Sequence, residues 1–284
     1  MKNIVILLPV FNDWASANLL IKKINHFFLN KNFLINILIV NDYSSNKINL
    51  NKKNLRKIKS IKVLNLSKNV GSQTAIYVGL KRIKADKKSI LIVMDSDGED
   101  DYLKLKILIQ KIIDEDNIIL FASRSKRLEP VYLRILNQLR LIVTLILTGK
   151  YLNMGNFSAF NLKNLKKLLK NRNISLAYSS GVIKNFKKIK YHPIEKRKRY
   201  FGKSKVNTIF ILKHAINLIS VFYKEVFFRT LLIFLFSAIF LNKVETLISF
   251  FCFLIINLTT ITFYYINFLK FLNFDLIKNI NKIK

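Results

Sequence analysis

The chain has 284 residues, 51% of them apolar, and a formal net charge of +33 from 49 Lys+Arg against 16 Asp+Glu. This composition excludes a disordered chain and allows one large or two modest domains with membrane segments besides. One cysteine, Cys252, and three scattered histidines, His26, His192 and His214, exclude a disulfide framework, a CxxC metal site and histidines at ligand spacing.

Met1-Lys2-Asn3 leads into Ile4 to Val10, an apolar, β-branched run broken by Pro9. It reads as a buried strand, and is too short to span a bilayer. No secretory signal is evident, which puts the N-terminal domain in the cytoplasm. Asp13 to Asn30 has helical spacing. Phe33 to Val40 is a second buried strand ending in Asn41-Asp42-Tyr43-Ser44-Ser45, and Ile61 to Leu66 is a third. Gly71 to Lys84 reads as a helix, Ser89 to Met94 as a fourth strand, Tyr102 to Ile113 as a helix and Ile118 to Ala122 as a fifth strand. Strand alternating with helix implies an α/β fold with a mostly parallel sheet covered on both faces. Ligands of such sheets sit outside the carboxyl ends of the strands. The polar clusters Asn41-Asp42, Asn69, Asp95 to Asp101 and Ser123-Arg124 all fall at those ends.

After Glu129-Pro130 the pattern changes. Val131 to Leu147 is a strongly apolar helix carrying Arg134 and Arg140, residues 186 to 205 are basic and strand- or loop-like, and Ile209 to Tyr223 is an amphipathic helix. Both helices suit a membrane interface. Val226 to Leu241 and Leu247 to Asn267 then form two long apolar segments, followed by a basic tail from Lys270 to Lys284. A spanning helix needs about 20 residues. The positive-inside rule makes the pair a hairpin with both ends cytoplasmic, hence a multi-pass protein of the inner, cytoplasmic membrane. The alternative is a pair of buried core helices. The expected domains are residues 1–205, a juxtamembrane helix at 206–225, and two transmembrane helices with a basic tail at 226–284.

The acids are few and uneven: nine of the sixteen lie between Asp86 and Asp116. Their centre is Met94-Asp95-Ser96-Asp97-Gly98-Glu99-Asp100-Asp101, directly after the fourth strand. Two carboxylates in a D-x-D arrangement share one hard cation, Mg2+ or Mn2+, and leave positions open for phosphate oxygens. Such a cation offsets the charge that builds on a departing diphosphate. Glu99 is a third candidate ligand, directly or through a water, while Asp100 and Asp101 suit the start of the next helix. A solvated acidic turn is the alternative.

Pro9-Val10-Phe11-Asn12 after strand one, Val40-Asn41-Asp42-Tyr43-Ser44-Ser45 after strand two, Asn69-Val70-Gly71 before a helix with Ala75 and Gly79-Leu80, and the D-x-D after strand four appear together. In order and spacing, over roughly residues 4 to 125, this resembles the family-2 glycosyltransferases with the GT-A fold. The resemblance implies a nucleotide-sugar donor, with Pro9, Phe11, Asn12, Asp42, Asn69 and Gly71 around the nucleotide, Asp42 reading the base, and Asp95 and Asp97 facing the diphosphate and its metal. Ala122-Ser123-Arg124-Ser125-Lys126-Arg127 and Arg199-Tyr200-Phe201-Gly202-Lys203-Ser204-Lys205 resemble the basic segments of polyprenyl-phosphate sugar transferases of the dolichyl-phosphate mannose synthase type. Arg124, Arg127, Arg199 and Lys203 are thereby expected to bind the acceptor phosphate or the leaving diphosphate, for which guanidinium forks are suited. A solvated basic surface is the alternative. Gly155-Asn156-Phe157-Ser158-Ala159-Phe160 stands where those relatives show G-D-F-R-L, so Asn156 and Ala159 depart from the pattern.

Transfer to a hydroxyl needs a general base, normally a carboxylate. Between Glu129 and Glu225 the sequence has one acid, Glu195. A phosphate acceptor is already ionised and needs none. The acid count therefore favours a polyprenyl-phosphate acceptor over a glycan hydroxyl such as lipopolysaccharide or capsule. A nucleic-acid or anionic-lipid binding module fits the +33 charge, but scattered lysines without interleaved aromatics count against nucleic acid. Membrane lipid remains an expected partner, and oligomeric state stays open.

Overall fold

The computed structural model describes residues 2–46, 50, 54–84, 86–126, 130–170, 172–202, 208–272 and 277–283. Its N-terminal part alternates β1 (Lys2–Val10), α1 (Trp14–Phe27), β2 (Phe33–Asn41), β3 (Ile58–Leu66), α2 (Ser72–Arg82) and β4 (Ile90–Val93). A single 3-10 turn (Tyr102–Lys104) leads into α3 (Leu105–Asp114), and β5 (Ile119–Lys126) follows. The chain continues through α4 (Val131–Thr148), β6 (Met154–Asn161), the short α5 (Leu165–Leu169), α6 (Asn173–Leu176) and α7 (Tyr178–Asn185), and β7 (Ile189–Glu195). It closes with α8 (Thr208–Ser220), α9 (Tyr223–Phe240), α10 (Lys243–Leu272) and β8 (Ile277–Ile283).

The strands form one sheet in the order β7-β5-β6-β4-β1-β2-β3-β8. β1 pairs in parallel with β2 and β4, and β2 with β3. β6 lies antiparallel between β4 and β5, and β7 returns parallel to β5. The expected α/β sheet is present, but β5 does not pair directly with β4: β6 separates them. At the opposite edge β8, from the basic tail, pairs antiparallel with β3.

Both faces of the sheet are covered, which is why β1 and β4 read as continuous apolar runs. Ile4, Ile6 and Leu8 face a core with α1 and α3, where Leu20, Ile24, Leu108 and Ile112 are buried. Val5, Leu7, Leu91 and Val93 face the other core, with Ile76, Leu80, Tyr178 and Val182. Gly79 lets α2 approach β1 and β2 closely, because a Cβ there would lie 2.7 Å from Leu7 Cδ1 and 2.7 Å from Val40 Cγ2.

The helices α4, α9 and α10 reverse the usual polarity. On α4 the side chains turned inward include Asn137, Thr144 and Thr148, while Ile135, Leu139, Ile142 and Ile146 form an exposed stripe. On α9, Thr230 and Ser237 are buried, and Phe228, Leu232, Phe236 and Ile239 are exposed. On α10, Asn257 and Thr260 are buried, and Leu247, Phe251, Ile255 and Leu258 are exposed. Asn257 Nδ2 donates to Thr230 Oγ1 at 2.9 Å, joining α9 to α10. Arg229 Nη1 of α9 donates to the carbonyl of Ile146 at 3.4 Å, next to the left-handed Gly149 that ends α4. A cation there meets the partial negative charge of the helix C-terminus.

Among the described residues two helices are long and apolar enough to cross a membrane: Val131–Thr148 and Lys243–Ile266. The second matches the expected segment. The first is the helix assigned above to the interface, and the expected Val226–Leu241 segment falls on α9 and its C-cap Leu241; the 18 residues of α9 carry Lys224, Glu225 and Arg229.

Gly79→Ala places a methyl between two packed core side chains, an overpacking that costs about 1–3 kcal/mol. The expected outcome is a lower melting temperature of the detergent-solubilised protein, with Gly79→Val lower still.

Candidate functional site

The carboxyl ends of β1, β2 and β4 meet where the sequence places the polar clusters. The loop after β1 and the loop after β2 are tied by Asn12, whose Oδ1 accepts from the backbone N–H of Ser45 at 2.8 Å and whose own N–H donates to Ser44 Oγ at 2.9 Å. Asn12 and Tyr43 both hold positive φ, 55° and 60°. Such backbone is costly for a Tyr and persists where its surroundings dictate it. Ser96 Oγ donates to the carbonyl of Pro9 at 3.0 Å, which fastens the acidic turn to the end of β1. Phe11 is exposed beside these loops, at 41%.

Asp42 is buried. Its Oδ1 accepts from the N–H of Val70 at 2.7 Å and its Oδ2 from that of Gly71 at 2.9 Å. Burial pushes its carboxyl up, and the two amides pull it back. Asn69 Nδ2 reaches the carbonyl of Asp42 at 3.4 Å. Both carboxylate oxygens are thus engaged by the loop that precedes α2, where Gly71 takes a φ of 83°. The side chain that the sequence assigned to reading a base also anchors the 69–71 loop.

The acidic turn is folded on itself and covered by the segment that follows β7. Asp95 N–H donates to Asp100 Oδ2 at 2.8 Å, and Glu99 N–H to Asp97 Oδ1 at 2.9 Å. Asp101 accepts from Leu103 N–H at 3.1 Å, starting the 3-10 turn. Across them lies Lys196 to Tyr200. The N–H of Arg197 donates to the Glu99 carbonyl at 2.9 Å, and that of Tyr200 to the Asp97 carbonyl at 3.0 Å. Side chains repeat the pattern: Lys196 Nζ meets Glu99 Oε2 at 2.8 Å, Arg197 Nε meets Asp101 Oδ1 at 2.9 Å, and Arg199 bridges Asp97 Oδ2 at 2.8 Å and Asp13 Oδ2 at 2.7 Å. The Lys196–Glu99 pair is the most enclosed, with side chains only 8% and 14% exposed. Gly98, at φ 88°, permits this closure, because a Cβ would lie 2.5 Å from the Tyr200 ring.

Charge is not fully balanced at the centre. Asp97 is raised to about 6, first by burial and then by Asp95, with Glu99 adding and Arg199 opposing. Asp95 accepts a hydrogen bond on Oδ1 from Asn156 Nδ2 at 3.1 Å. Arg199 Nε and Tyr200 Oη are buried with no partner. Buried donors of that kind call for an acceptor. Among the described residues no group of three His, Cys, Asp or Glu is arranged to hold a metal. Glu99, a candidate third ligand, is held by Lys196 instead.

The structure therefore gathers Pro9, Phe11, Asn12, Asp42, Asn69, Gly71, Asp95, Asp97, Glu99 and Arg199 along one end of the sheet. Arg124 lies on β5, and its side chain falls outside the described residues, as do Arg127, Lys203 and Lys205 altogether. Sequence reasoning missed Asp13, Lys196 and Arg197 as partners of the turn. The one signal for Asp13 was its position as an isolated acid just after the first strand. Glu195 is exposed at the end of β7.

The family described as Glycosyl transferase family 2 matches residues 5–179. Among solved structures, mannosyl-3-phosphoglycerate synthase from Rubrobacter xylanophilus is 11% identical with a TM-score of 0.56, over 79% of this chain and 74% of that one. Glucosyl-3-phosphoglycerate synthase from Mycobacterium tuberculosis, in complex with Mn2+, uridine-diphosphate-glucose and phosphoglyceric acid, is 12% identical with a TM-score of 0.57, over 79% of this chain and 80% of that one. At such identities the likeness speaks for the fold. No curated protein matches the sequence.

Asp97 gives a stability slope whose sign is fixed. Its folded value of about 6 lies above the ordinary aspartate value of 3.8. Between those values the folded chain holds a proton that the unfolded chain has lost, so stability from this group falls as pH rises through the window. In metal-free detergent solution, melting temperatures measured from pH 4 to pH 7 should decline less in Asp97→Asn than in wild type.

Proposed function

The chain belongs to glycosyl transferase family 2, and on that premise we propose that it transfers a sugar from a nucleotide-sugar donor to a polyprenyl-phosphate lipid at the membrane surface. The family membership makes it a glycosyltransferase; donor class, acceptor and site roles are our reading. The observation that carries the lipid acceptor is the inverted polarity of α4, α9 and α10, which turn Asn137, Thr230 and Asn257 inward and leucine, isoleucine and phenylalanine outward. An apolar exterior over a polar interior is stable against hydrocarbon rather than water. Residues 1–205 would then be the catalytic domain, 206–225 a juxtamembrane helix, and 226–284 the hairpin and tail, with α4 added to the membrane-facing layer.

The acidic turn fits a divalent cation shared with a diphosphate. Two aspartates stand together, Asp97 is held high first by burial and then by the neighbouring Asp95, and a guanidinium already sits against it. Two carboxylates are too few for a self-sufficient metal site, so phosphate oxygens and water would complete the shell. Mg2+ or Mn2+, when bound, would offset charge on the leaving nucleoside diphosphate. That the Mycobacterium tuberculosis neighbour was solved with Mn2+ and a uridine-diphosphate sugar supports this assignment.

The chain's own groups then divide as follows. Asp42 holds the 69–71 loop in shape for the nucleotide, Phe11 offers an exposed ring beside it, and Asp95 and Asp97 face the diphosphate. Arg199, with the basic side chains at 124, 127 and 203, binds phosphate. A phosphate oxygen of the lipid attacks the anomeric carbon as the bond to the diphosphate breaks, and the diphosphate departs with the electron pair. No proton has to be removed, in keeping with the single acid, Glu195, between Glu129 and Glu225. Glu195 would be the base if a glycan hydroxyl were the acceptor.

Membranes containing the protein, incubated with labelled nucleotide sugars and extracted with organic solvent, should yield label in a phosphate-linked polyprenol. Label confined to a solvent-insoluble glycan would overturn the lipid acceptor. Asp95→Ala should reduce transfer by about 100-fold or more, the scale expected when transition-state charge stabilisation is removed, while Glu195→Gln should retain wild-type turnover.

A further inference from the structure

Asn156 stands where the resemblance would have an aspartate, and its amide touches Asp95. An amide has a donor end and an acceptor end, and which one faces a carboxylate matters: N–H stabilises the charge, whereas C=O repels it. The surrounding contacts leave no freedom in that choice. Tyr178 begins α7, whose first N–H groups have no partner within the helix, and no side chain at the preceding position caps them. The Tyr178 N–H donates instead to Gln73 Oε1 at 2.7 Å. A backbone N–H can only donate, so the oxygen of Gln73 must face it. Gln73 Nε2 is thereby turned to Asn156 Oδ1, at 3.1 Å, with Ser72 Oγ at 3.4 Å as a second neighbour. With its oxygen so engaged, Asn156 presents Nδ2 to Asp95 Oδ1 at 3.1 Å. An ionised carboxylate only accepts, so both ends of the chain of hydrogen bonds agree on its direction.

We propose that Gln73 is a positioning residue: it transmits the polarity of the α7 N-terminus through Asn156, holding one oxygen of Asp95 and leaving the other for the cation and diphosphate. This rests on the metal reading of Asp95 given above. Gln73 lies on α2 and Asn156 on β6, 83 residues apart in sequence, so the relay also ties the antiparallel strand to the site. Outer partners that orient a metal ligand change metal affinity by about 10-fold to about 100-fold when lost.

Gln73→Glu tests the direction of the relay. The new carboxylate can still accept from Tyr178, but it can no longer donate, so Asn156 turns its amide and points a carbonyl at Asp95. Simple Coulomb attraction predicts the opposite of the relay, because an added negative charge would tighten cation binding. The measurement is Mn2+ affinity by electron paramagnetic resonance, in detergent with UDP or GDP present and no acceptor, for wild type, Asp95→Ala, Gln73→Glu and Gln73→Met. The expected result is loss of Mn2+ binding in Asp95→Ala, affinity about 10-fold or more weaker in Gln73→Glu, an intermediate loss in Gln73→Met, and metal-free melting temperatures close to wild type in both Gln73 variants. Wild-type or tighter affinity in Gln73→Glu, with binding lost in Asp95→Ala, would overturn the relay alone. If Gln73→Glu does not fold, unchanged affinity in Gln73→Met would overturn it. Unchanged affinity in Asp95→Ala would overturn the metal reading itself, and the relay with it.

Discussion

Concentrating carboxylates at one strand end is the constraint from which much of this structure follows. Asp95, Asp97, Glu99, Asp100 and Asp101 occupy one turn behind β4, in a chain that carries only 16 acids. Buried like charges repel, and removing them from water is costly unless each finds a partner. The segment after β7 supplies partners for Asp97, Glu99 and Asp101 with both backbone and side chains, while Asp95 is met by Asn156 and Asp100 by the Asp95 N–H. It crosses the turn at Arg197 and Tyr200 through main-chain bonds and adds Lys196, Arg197 and Arg199 as counter-charges. The bridging residue is an arginine because its fork reaches two carboxylates at once, Asp97 and Asp13. Gly98 is needed at the crossing because no Cβ fits under Tyr200. Burial and the neighbouring Asp95 hold Asp97 high, which supports the proposed cation at this turn.

The same chain solves a second polarity problem away from the sheet. In α4, α9 and α10 the polar residues are used between helices, as in the Asn257–Thr230 bond, and the apolar ones are turned out. Arg229 is tolerated in this layer because it reaches the C-terminus of α4. β8, the next element after α10, pairs with β3, so the helical layer and the sheet are joined by strand pairing as well as by the chain that precedes α8. This arrangement supports the proposed transfer from a soluble donor to a lipid acceptor.

Much of the fold was legible in the sequence because β1, β2, β3, β4 and β5 are short β-branched runs with polar residues at their carboxyl ends. Those ends also located the acidic turn and the Asn12 and Asp42 loops. β6 was not legible: Met154–Asn161 shows neither clean alternation nor a β-branched run, and its antiparallel insertion is decided by the partners on either side. The covering segment was read as basic, but its partners were not, since Arg199 meets Asp13 across 186 residues. Asp42 was correctly placed at the strand end, while its rotation toward the amides of Val70 and Gly71 depends on a loop that sequence spacing does not orient. The difference between α4 and α9 as membrane segments turned on three charged residues near the start of α9, which run length alone does not weigh.

The proposed role of Asp95 and Asp97 is to hold a divalent cation against a nucleoside diphosphate. Anomalous scattering from crystals grown with Mn2+ and UDP or GDP tests it most directly. A manganese peak is expected within coordination distance of Asp95 or Asp97 and of the diphosphate, with Arg199 moved off Asp97. A nucleotide bound elsewhere, or bound with no manganese beside these aspartates while Arg199 still bridges Asp13 and Asp97, would contradict it.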